Sequence, residues 1–194
     1  MTITEVLTQA VERHHPRLVL LCSFQKEESV LVDELVRIAP DARIVTIDTG
    51  VLFPETLATW RAFEQRFGID VQVEDATGQW SASNCCGPAK VAALERALEG
   101  ADAWITGIRR EQSPTRASSQ PVEYDDTRGI WKYNPLVDWT EKDLWRRIAE
   151  RELPYHPLHD QGYASIGCAP CTNPGSGREG RWAGLTKTEC GLHV

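Results

Sequence analysis

The sequence contains no apolar run long enough to cross a lipid bilayer. Its longest unbroken apolar stretch, Leu18 to Cys22, has only five residues, whereas a membrane-spanning helix needs about 20. The N-terminal segment MTITEVLTQAVERHH is polar and amphipathic and has no signal-peptide core. These absences argue against membrane insertion and secretion, and they predict a protein of the reducing cytoplasm.

The chain also lacks an excess of positive charge. Its 21 lysine and arginine residues are outnumbered by 28 aspartate and glutamate residues, for a formal net charge of −7. A uniformly basic nucleic-acid binder and a polybasic membrane-surface protein are therefore disfavoured. Internal repeats and low-complexity tracts are absent as well, so the 194 residues are expected to form one domain of ordinary size.

What the first half of the sequence does contain is an alternation of strand-like and helix-like segments. The predicted strands are Arg17–Phe24, Arg43–Thr49, Asp70–Glu74 and Ala103–Ile108. The predicted helices are 5–13, 28–39, 54–68 and 86–100. This order predicts a parallel sheet with right-handed crossovers, and the ligand site of such a sheet lies at the carboxyl ends of its strands.

The second half of the chain is less regular. Residues 111–121 are predicted to form a mobile loop, and Val122–Asp125 and Trp131–Tyr133 are predicted to pair as a hairpin. A helix is expected over Thr140–Glu152, with Thr140 as its N-cap. Beyond Pro154 the pattern becomes irregular, which indicates a segment that serves function more than packing.

The six cysteines are the unusual feature of the composition. They occupy positions 22, 85, 86, 168, 171 and 190. A chain of this length can build a core without disulfides, so clustered cysteines indicate metal binding or catalysis. The adjacent pair Cys85 and Cys86 and the CxxC pair Cys168 and Cys171 offer four thiolates, a set that suits zinc or an iron–sulfur cluster. The spacing leaves both open, together with a redox role for the CxxC pair alone.

The two remaining cysteines call for different interpretations. Cys190 lies in the C-terminal segment ECGLHV, where an exposed thiol is a potential nucleophile whose pKa a protonated His193 would lower. The alternative is a tail cysteine without a role. Cys22 lies among leucines in a predicted strand, and it is interpreted as a small buried hydrophobic residue.

The loop SFQKEES joins the first predicted strand to a helix, and its backbone N–H groups are suited to hold an anion. It is not a Walker A motif, because GK[ST] is absent. Arg178 and Arg181 lie in a glycine-rich segment with little packing reason for arginine, and Lys90 follows Cys86 by one helical turn. Arginine suits phosphate and sulfate because its forked donors match their oxygens.

Several of these segments together resemble a known family. They are SFQKEESV, IDTGVLFPET, TGIRREQSPTR, REGRW, ECGLH and the CC and CxxC pairs. They are similar to segments of the assimilatory adenylyl-sulfate reductases, the iron–sulfur branch of the phosphoadenylyl-sulfate reductase family. The resemblance implies a Rossmann-like sheet of the adenine nucleotide α-hydrolase type, flanked by helices. It implies a nucleotide-binding domain over residues 1–182 with an iron–sulfur cluster, and a mobile catalytic tail over 183–194.

The resemblance also implies a reaction. Adenosine 5′-phosphosulfate would be reduced to sulfite and AMP, with Cys190 as the nucleophile that becomes an S-sulfocysteine. A separate thioredoxin or glutaredoxin-type protein would release the sulfite, and a homo-oligomer is common in the family. One four-iron four-sulfur cluster would be held by Cys85, Cys86, Cys168 and Cys171.

The resemblance also implies which residues bind the substrate. Six positions match substrate-binding positions of the family: Ser23, Lys90, Gly107, Arg116, Arg178 and Arg181. Position 25 departs from the family pattern, since Gln25 stands where the family often has serine. The sequence does not read the 3′ position of the nucleotide, so 3′-phosphoadenylyl sulfate stays an alternative substrate. An ATP pyrophosphatase or tRNA-thiolating enzyme is less favoured because SGGxDS is absent, and a non-enzymatic zinc module leaves Cys190 unexplained.

Overall fold

The computed structural model describes residues 1–78 and 87–182 of the chain. The strands in this part are β1 (Leu18–Leu21), β2 (Arg43–Asp48), β3 (Gln72–Asp75), β4 (Ala103–Ile105), β5 (Val122–Asp125) and β6 (Ile130–Tyr133). The α-helices are α1 (Ile3–His14), α2 (Lys26–Ile38), α3 (Pro54–Phe67), α4 (Pro88–Ala97) and α5 (Glu141–Glu150). The strands form one sheet in the order β3-β2-β1-β4-β6-β5.

The sheet is parallel except at one edge. β1 pairs in parallel with β2 on one side and with β4 on the other, and only β5 runs antiparallel, against β6. The chain fills one half of the sheet with β2 and β3 and then returns to β4, so strand order reverses between β1 and β4. The expected α/β class and the expected hairpin are confirmed, and the reversal places a crevice at the carboxyl ends of these two strands.

Alternate side chains of the central strands enter two separate apolar layers, because successive residues of a strand point to opposite faces. Leu18, Leu20 and Ile105 pack with buried residues of α1, α2 and α5. Val19 and Trp104 face the other way. There they pack with α4 and with a 3₁₀ turn at Ala169–Cys171. The CxxC pair is therefore held on the α4 side of the sheet.

Helix ends follow the local sequence closely. Thr140 is the N-cap of α5, and the Asp143 N–H donates to its Oγ1 at 3.2 Å, as expected for a capping box. α3 begins at Pro54 and is followed by the C-cap Gly68, whose φ of +66° is a left-handed conformation that glycine adopts without strain. These residues set the helix boundaries before any tertiary contact is considered.

The strands leading to the crevice are shorter than predicted. β1 ends at Leu21 instead of Phe24, since Phe24 has a φ of +59° that no strand residue adopts, and its ring packs against Trp60 and Phe63. β4 ends at Ile105 instead of Ile108. The Thr106 N–H still donates to the Tyr133 carbonyl at 2.9 Å and its hydroxyl donates to Asn134 Oδ1 at 2.5 Å, but residues 106–109 belong to no strand. The residues after both strands are thereby released from the sheet to line the crevice.

Other boundaries differ by a few residues. α2 begins at Lys26, two residues before the expected start, and α4 begins at Pro88. The predicted loop 111–121 contains a 3₁₀ turn at Pro114–Arg116. None of the helices described is long and apolar enough to cross a membrane.

Candidate active site

A cavity of about 350 Å³ opens at the carboxyl ends of β1, β2 and β4. Its walls come from the loop and helix start at 23–28, from 106–109, and from the segment 164–168. The six residues expected to bind substrate all line it: Ser23, Lys90, Gly107, Arg116, Arg178 and Arg181. The fold thus brings together positions that are up to 158 residues apart in sequence (181 minus 23).

The loop after β1 presents hydrogen-bond donors to a buried carboxyl group. The Ser23 hydroxyl donates to Glu28 Oε2 at 2.9 Å, and the Gln25 backbone N–H donates to the same oxygen at 3.0 Å. The same carboxyl group fills the space beside Gly107, since a Cβ at position 107 would lie 2.6 Å from Glu28 Oε1. The close approach explains why glycine stands after β4.

Gln25, the departure from the family pattern, links two walls of the cavity. Its amide nitrogen donates to Ser23 Oγ at 3.2 Å, and its amide oxygen accepts from the Ile166 N–H at 2.8 Å. A serine side chain is too short to span both contacts. Gln25 therefore ties the loop after β1 to the segment that leads to Cys168.

A buried ion pair underlies the cavity. Arg109 is 3% and Glu27 is 5% exposed, and the Arg109 Nε donates to Glu27 Oε1 at 3.0 Å. The Gln112 amide donates to the same oxygen, while Arg109 Nη1 donates to Glu111 Oε2 at 2.8 Å. Burial alone would raise the pKa of Glu27, but the Arg109 and Lys26 charges overcome it and lower the pKa below its ordinary value.

Glu28 is the neighbour of that pair and behaves in the opposite way. Burial, and then the charge of Glu27, raise the pKa of Glu28 to about 8, although hydrogen bonds from Ser23 and the Gln25 N–H oppose the rise. Glu28 forms no ion pair within residues 1–78 and 87–182. The pKa values of two adjacent carboxyl groups are thus shifted in opposite directions, and Arg109 pairs with only one of them.

Lys26 anchors the opposite wall. It is 2% exposed, and its Nζ donates at 2.8 Å both to Glu141 Oε1 at the start of α5 and to the Ala164 carbonyl. Sequence reasoning did not single out Lys26, Glu27 or Glu28 as site residues. The available signal was three consecutive charges placed between a buried strand and its helix, where charge is costly unless it is paired.

Arg181 is held in place by backbone and aromatic contacts. Its Nη1 donates to the Ile166 carbonyl at 3.1 Å and to Ser165 Oγ at 3.3 Å. The Trp182 ring lies 4.6 Å from the Arg181 guanidinium and 5.3 Å from that of Arg178. Trp182 thereby holds both arginines at the cavity. Arg116, in the wall opposite, donates to the Gln112 side chain.

The described cysteines occupy two environments. Cys22 is 2% exposed in the core, and burial and the Glu28 charge raise its pKa well above the ordinary value, which agrees with a packing role. Cys168 and Cys171 are 3% and 8% exposed in one 3₁₀ turn, and Thr49 Oγ1 lies 3.2 Å from Cys168 Sγ. Cys168 also lines the cavity.

The other predicted sulfur ligands, Cys85 and Cys86, and the predicted nucleophile Cys190 lie outside the described residues. No cluster of three or more potential metal ligands occurs within the portion described. The donor chemistry at Cys168 and Cys171 nevertheless suits a cluster, because two buried cysteine sulfurs at one turn pack with α4, whose first residue follows Cys86 closely in sequence.

Comparison with known proteins agrees with this geometry. The model of the phosphoadenosine phosphosulfate reductase domain matches residues 17–174. An adenosine 5′-phosphosulfate reductase of Bacillus pumilus (strain SAFR-032) is 44% identical over 207 aligned residues, which cover 97% of this chain and 89% of that protein. A phosphoadenosine 5′-phosphosulfate reductase of Gloeobacter violaceus is 42% identical, with 97% and 87% covered.

A solved structure shows the same fold. The phosphoadenylyl-sulfate reductase of Candida auris, crystallised as a phosphate complex, superimposes with a TM-score of 0.76 at 27% identity. The alignment covers 89% of this chain and 91% of that one. The likeness therefore extends over almost the whole of both chains.

Proposed function

This chain belongs to the phosphoadenosine phosphosulfate reductase domain family, and from that premise we propose that it reduces adenosine 5′-phosphosulfate to sulfite and AMP. The observation that carries the proposal is the convergence of Lys90, Arg116, Arg178 and Arg181 with the loop at Ser23 on one cavity. A chain with a net charge of −7 concentrates cations at the edge of the sheet where an anionic nucleotide is expected.

The chemistry that we propose begins at Cys190. Its thiolate attacks the sulfur of the sulfuryl group, a sulfur–sulfur bond forms, and the bond from that sulfur to the bridging oxygen breaks. AMP departs with the electron pair of that bond, and Cys190 is left as an S-sulfocysteine. The cationic walls of the cavity reduce the repulsion between the thiolate and the anionic substrate, which is the condition for attack.

Sulfite is then released by an external thiol. A thiolate of a thioredoxin or glutaredoxin-type protein attacks Cys190 Sγ, sulfite leaves with the electron pair, and a mixed disulfide forms. A second thiol of that partner resolves the disulfide and returns Cys190 to its reduced state. The two electrons that reduce the sulfuryl group therefore come from the partner's dithiol.

We also propose that Cys85, Cys86, Cys168 and Cys171 hold one four-iron four-sulfur cluster. When bound, such a cluster supplies structure and negative charge, which Lys90 would balance on the side of the cavity. Thr49 is placed to hydrogen-bond the Cys168 sulfur and orient it. The cluster, the thiol partner, a homo-oligomeric assembly and a cytoplasmic location are parts of the proposal.

Adenosine 5′-phosphosulfate is the proposed substrate because it is named for the Bacillus pumilus relative. The Gloeobacter violaceus relative is named for the 3′-phosphorylated nucleotide, which makes that compound the second candidate.

Sulfite production distinguishes the two. The purified protein is supplied with each nucleotide and reduced thioredoxin, as wild type and as Cys190→Ser. We expect sulfite from adenosine 5′-phosphosulfate with wild type and none with Cys190→Ser. Without a thiol, wild type should gain the mass of one SO₃ group, which Cys190→Ser should not. Pyrophosphate release from ATP, with no sulfite from either nucleotide, would contradict the proposal.

A further inference from the structure

An internal carboxyl group already occupies the loop that would hold the substrate anion. Glu28 Oε2 accepts the Ser23 hydroxyl and the Gln25 N–H, at 2.9 and 3.0 Å. Both donors belong to the strand-to-helix loop of an α/β fold, the part that normally binds anionic groups of ligands. Glu28 Oε1 lies beside Gly107, in another wall of the same cavity. The carboxyl group and the substrate anion are therefore neighbours.

The surroundings of Glu28 do not compensate a negative charge on it. Arg109 is engaged by Glu27 and Glu111, and Lys26 is engaged by Glu141 and the Ala164 carbonyl. Glu28 belongs to none of the ion pairs formed among the described residues. The titratable groups that act on it are Glu27 on the same helix and Cys22 directly after β1, while Arg109, after β4, is paired with Glu27. The cations across the cavity are Lys90, Arg116, Arg178 and Arg181.

We propose that Glu28 binds the nucleotide as a neutral carboxylic acid, so that a proton on Glu28 is a condition of tight binding. The inference rests on the proposed function, because it assumes that the cavity holds an anionic nucleotide. A carboxylate beside the substrate anion would repel it in a buried setting, where charges interact strongly. A protonated carboxyl group carries no charge and can donate its O–H to an oxygen of the substrate.

The same contacts give Glu27 and Glu28 different charge states and different roles in this proposal. Glu27 holds Arg109 and Gln112 in place as an ion, and its negative charge helps to keep the proton on Glu28. The elevated pKa of about 8 for Glu28 agrees with a carboxyl group that is protonated near neutral pH. A glutamate in this loop is then compatible with an anionic ligand, whereas an ordinary carboxylate would not be.

The inference predicts how affinity depends on pH. When only the protonated protein binds, the dissociation constant rises about tenfold for each pH unit above the pKa of the group. From pH 8 to pH 9.5 the wild-type dissociation constant should therefore rise by roughly 20-fold. Glu28→Gln is neutral at every pH and has the shape of the protonated acid, so its affinity should change by less than about threefold over this range.

The probe is AMP, since it binds without reacting and its phosphate is a dianion above pH 7.5. Isothermal calorimetry measures its dissociation constant from pH 7.5 to 9.5 for wild type and Glu28→Gln. Repeating the titration near pH 8 in buffers of different ionisation enthalpy counts protons taken up on binding. We expect about half a proton for wild type and essentially none for Glu28→Gln.

Glu141→Gln is the matched control, because Glu141 lines the same cavity but is paired with Lys26. This variant should keep the wild-type pH dependence. Parallel pH profiles for wild type and Glu28→Gln would overturn the inference and leave the proposed function standing, as would a Glu141→Gln profile as flat as that of Glu28→Gln. Absence of AMP binding and of sulfite production at every pH would overturn the proposed function and the inference together.

Discussion

Replacing Arg109 by methionine is expected to destabilise the protein more than loss of any exposed ion pair. Arg109 makes two contacts to Glu27 Oε1 at 3.0 Å, one to Glu111 at 2.8 Å and one to the Trp139 carbonyl at 3.2 Å. Arg109→Met leaves the Glu27 carboxylate buried without its main cation. Removing one partner of a buried pair costs about 3–5 kcal/mol of unfolding free energy.

The comparison pair is Arg96 and Glu74, whose side chains are 48% and 25% exposed. Arg96→Met should cost about 1 kcal/mol or less, since exposed ion pairs contribute little. Urea denaturation at matched ionic strength measures both changes, with the slope of the transition checked for constancy. The double variant Glu27→Gln/Arg109→Met should recover part of the loss, because it removes the uncompensated charge.

The destabilisation should also depend on pH. In wild type the pKa of Glu27 is lowered, so its ionised form adds stability that is present above the unfolded-state pKa and lost as pH falls. In Arg109→Met the pKa of Glu27 should rise, and protonation then relieves the buried charge at lower pH. The difference from wild type should therefore shrink from about pH 8 to pH 5. A loss of about 1 kcal/mol or less at pH 8 would refute the reasoning.

Three further changes test other parts of the site. Gln25→Ala removes the hydrogen bond from the Ile166 N–H and the hydrogen bond to Ser23 Oγ, so we expect a loss of about 1–3 kcal/mol in urea unfolding. Gln120→Ala is the exposed control, and equal stability of the two variants would contradict the assigned link. Gly107→Ala places a Cβ 2.6 Å from Glu28 Oε1, so AMP affinity should fall at least tenfold. An unchanged affinity would show that the residues around Gly107 can move to make room for a methyl group. Lys90→Ala should reduce sulfite production while visible absorption of the cluster is retained; wild-type turnover with intact absorption would contradict the role of Lys90 between cluster and substrate.

Local patterns determine the elements that carry the site. β2 was predicted within one residue of its observed end, since a buried apolar run followed by Gly50 allows few alternatives. Thr140 and Pro54 set the starts of α5 and α3 through groups a few residues away. The strand ends at Phe24 and Ile108 were predicted too far along the chain. Phe24 has a positive φ and packs its ring against Trp60 and Phe63, and residues 106–109, after β4, belong to no strand.

The candidate substrate residues came from family motifs, and the structure places all six on one cavity. The roles proposed for them stay predictions, as do those of Cys85, Cys86 and Cys190, which lie outside the described residues. The family motifs do not show how the buried charged residues that underlie the cavity are paired. Local sequence marks Lys26, Glu27 and Glu28 only as three charges at a helix start.

The sequence by itself determined the α/β order and the absence of long apolar runs, and it predicts a division of the cysteines into one packing residue and five with functional roles. Those properties depend on composition and on periodicity over short distances. Only the tertiary structure decided which charges are paired, because the partners are remote: Arg109 is 82 residues from Glu27, and Lys26 is 115 from Glu141. Arg109 pairs with Glu27 and not with Glu28; this pairing and the Lys26 charge lower the pKa of Glu27, whereas burial and the Glu27 charge raise the pKa of Glu28.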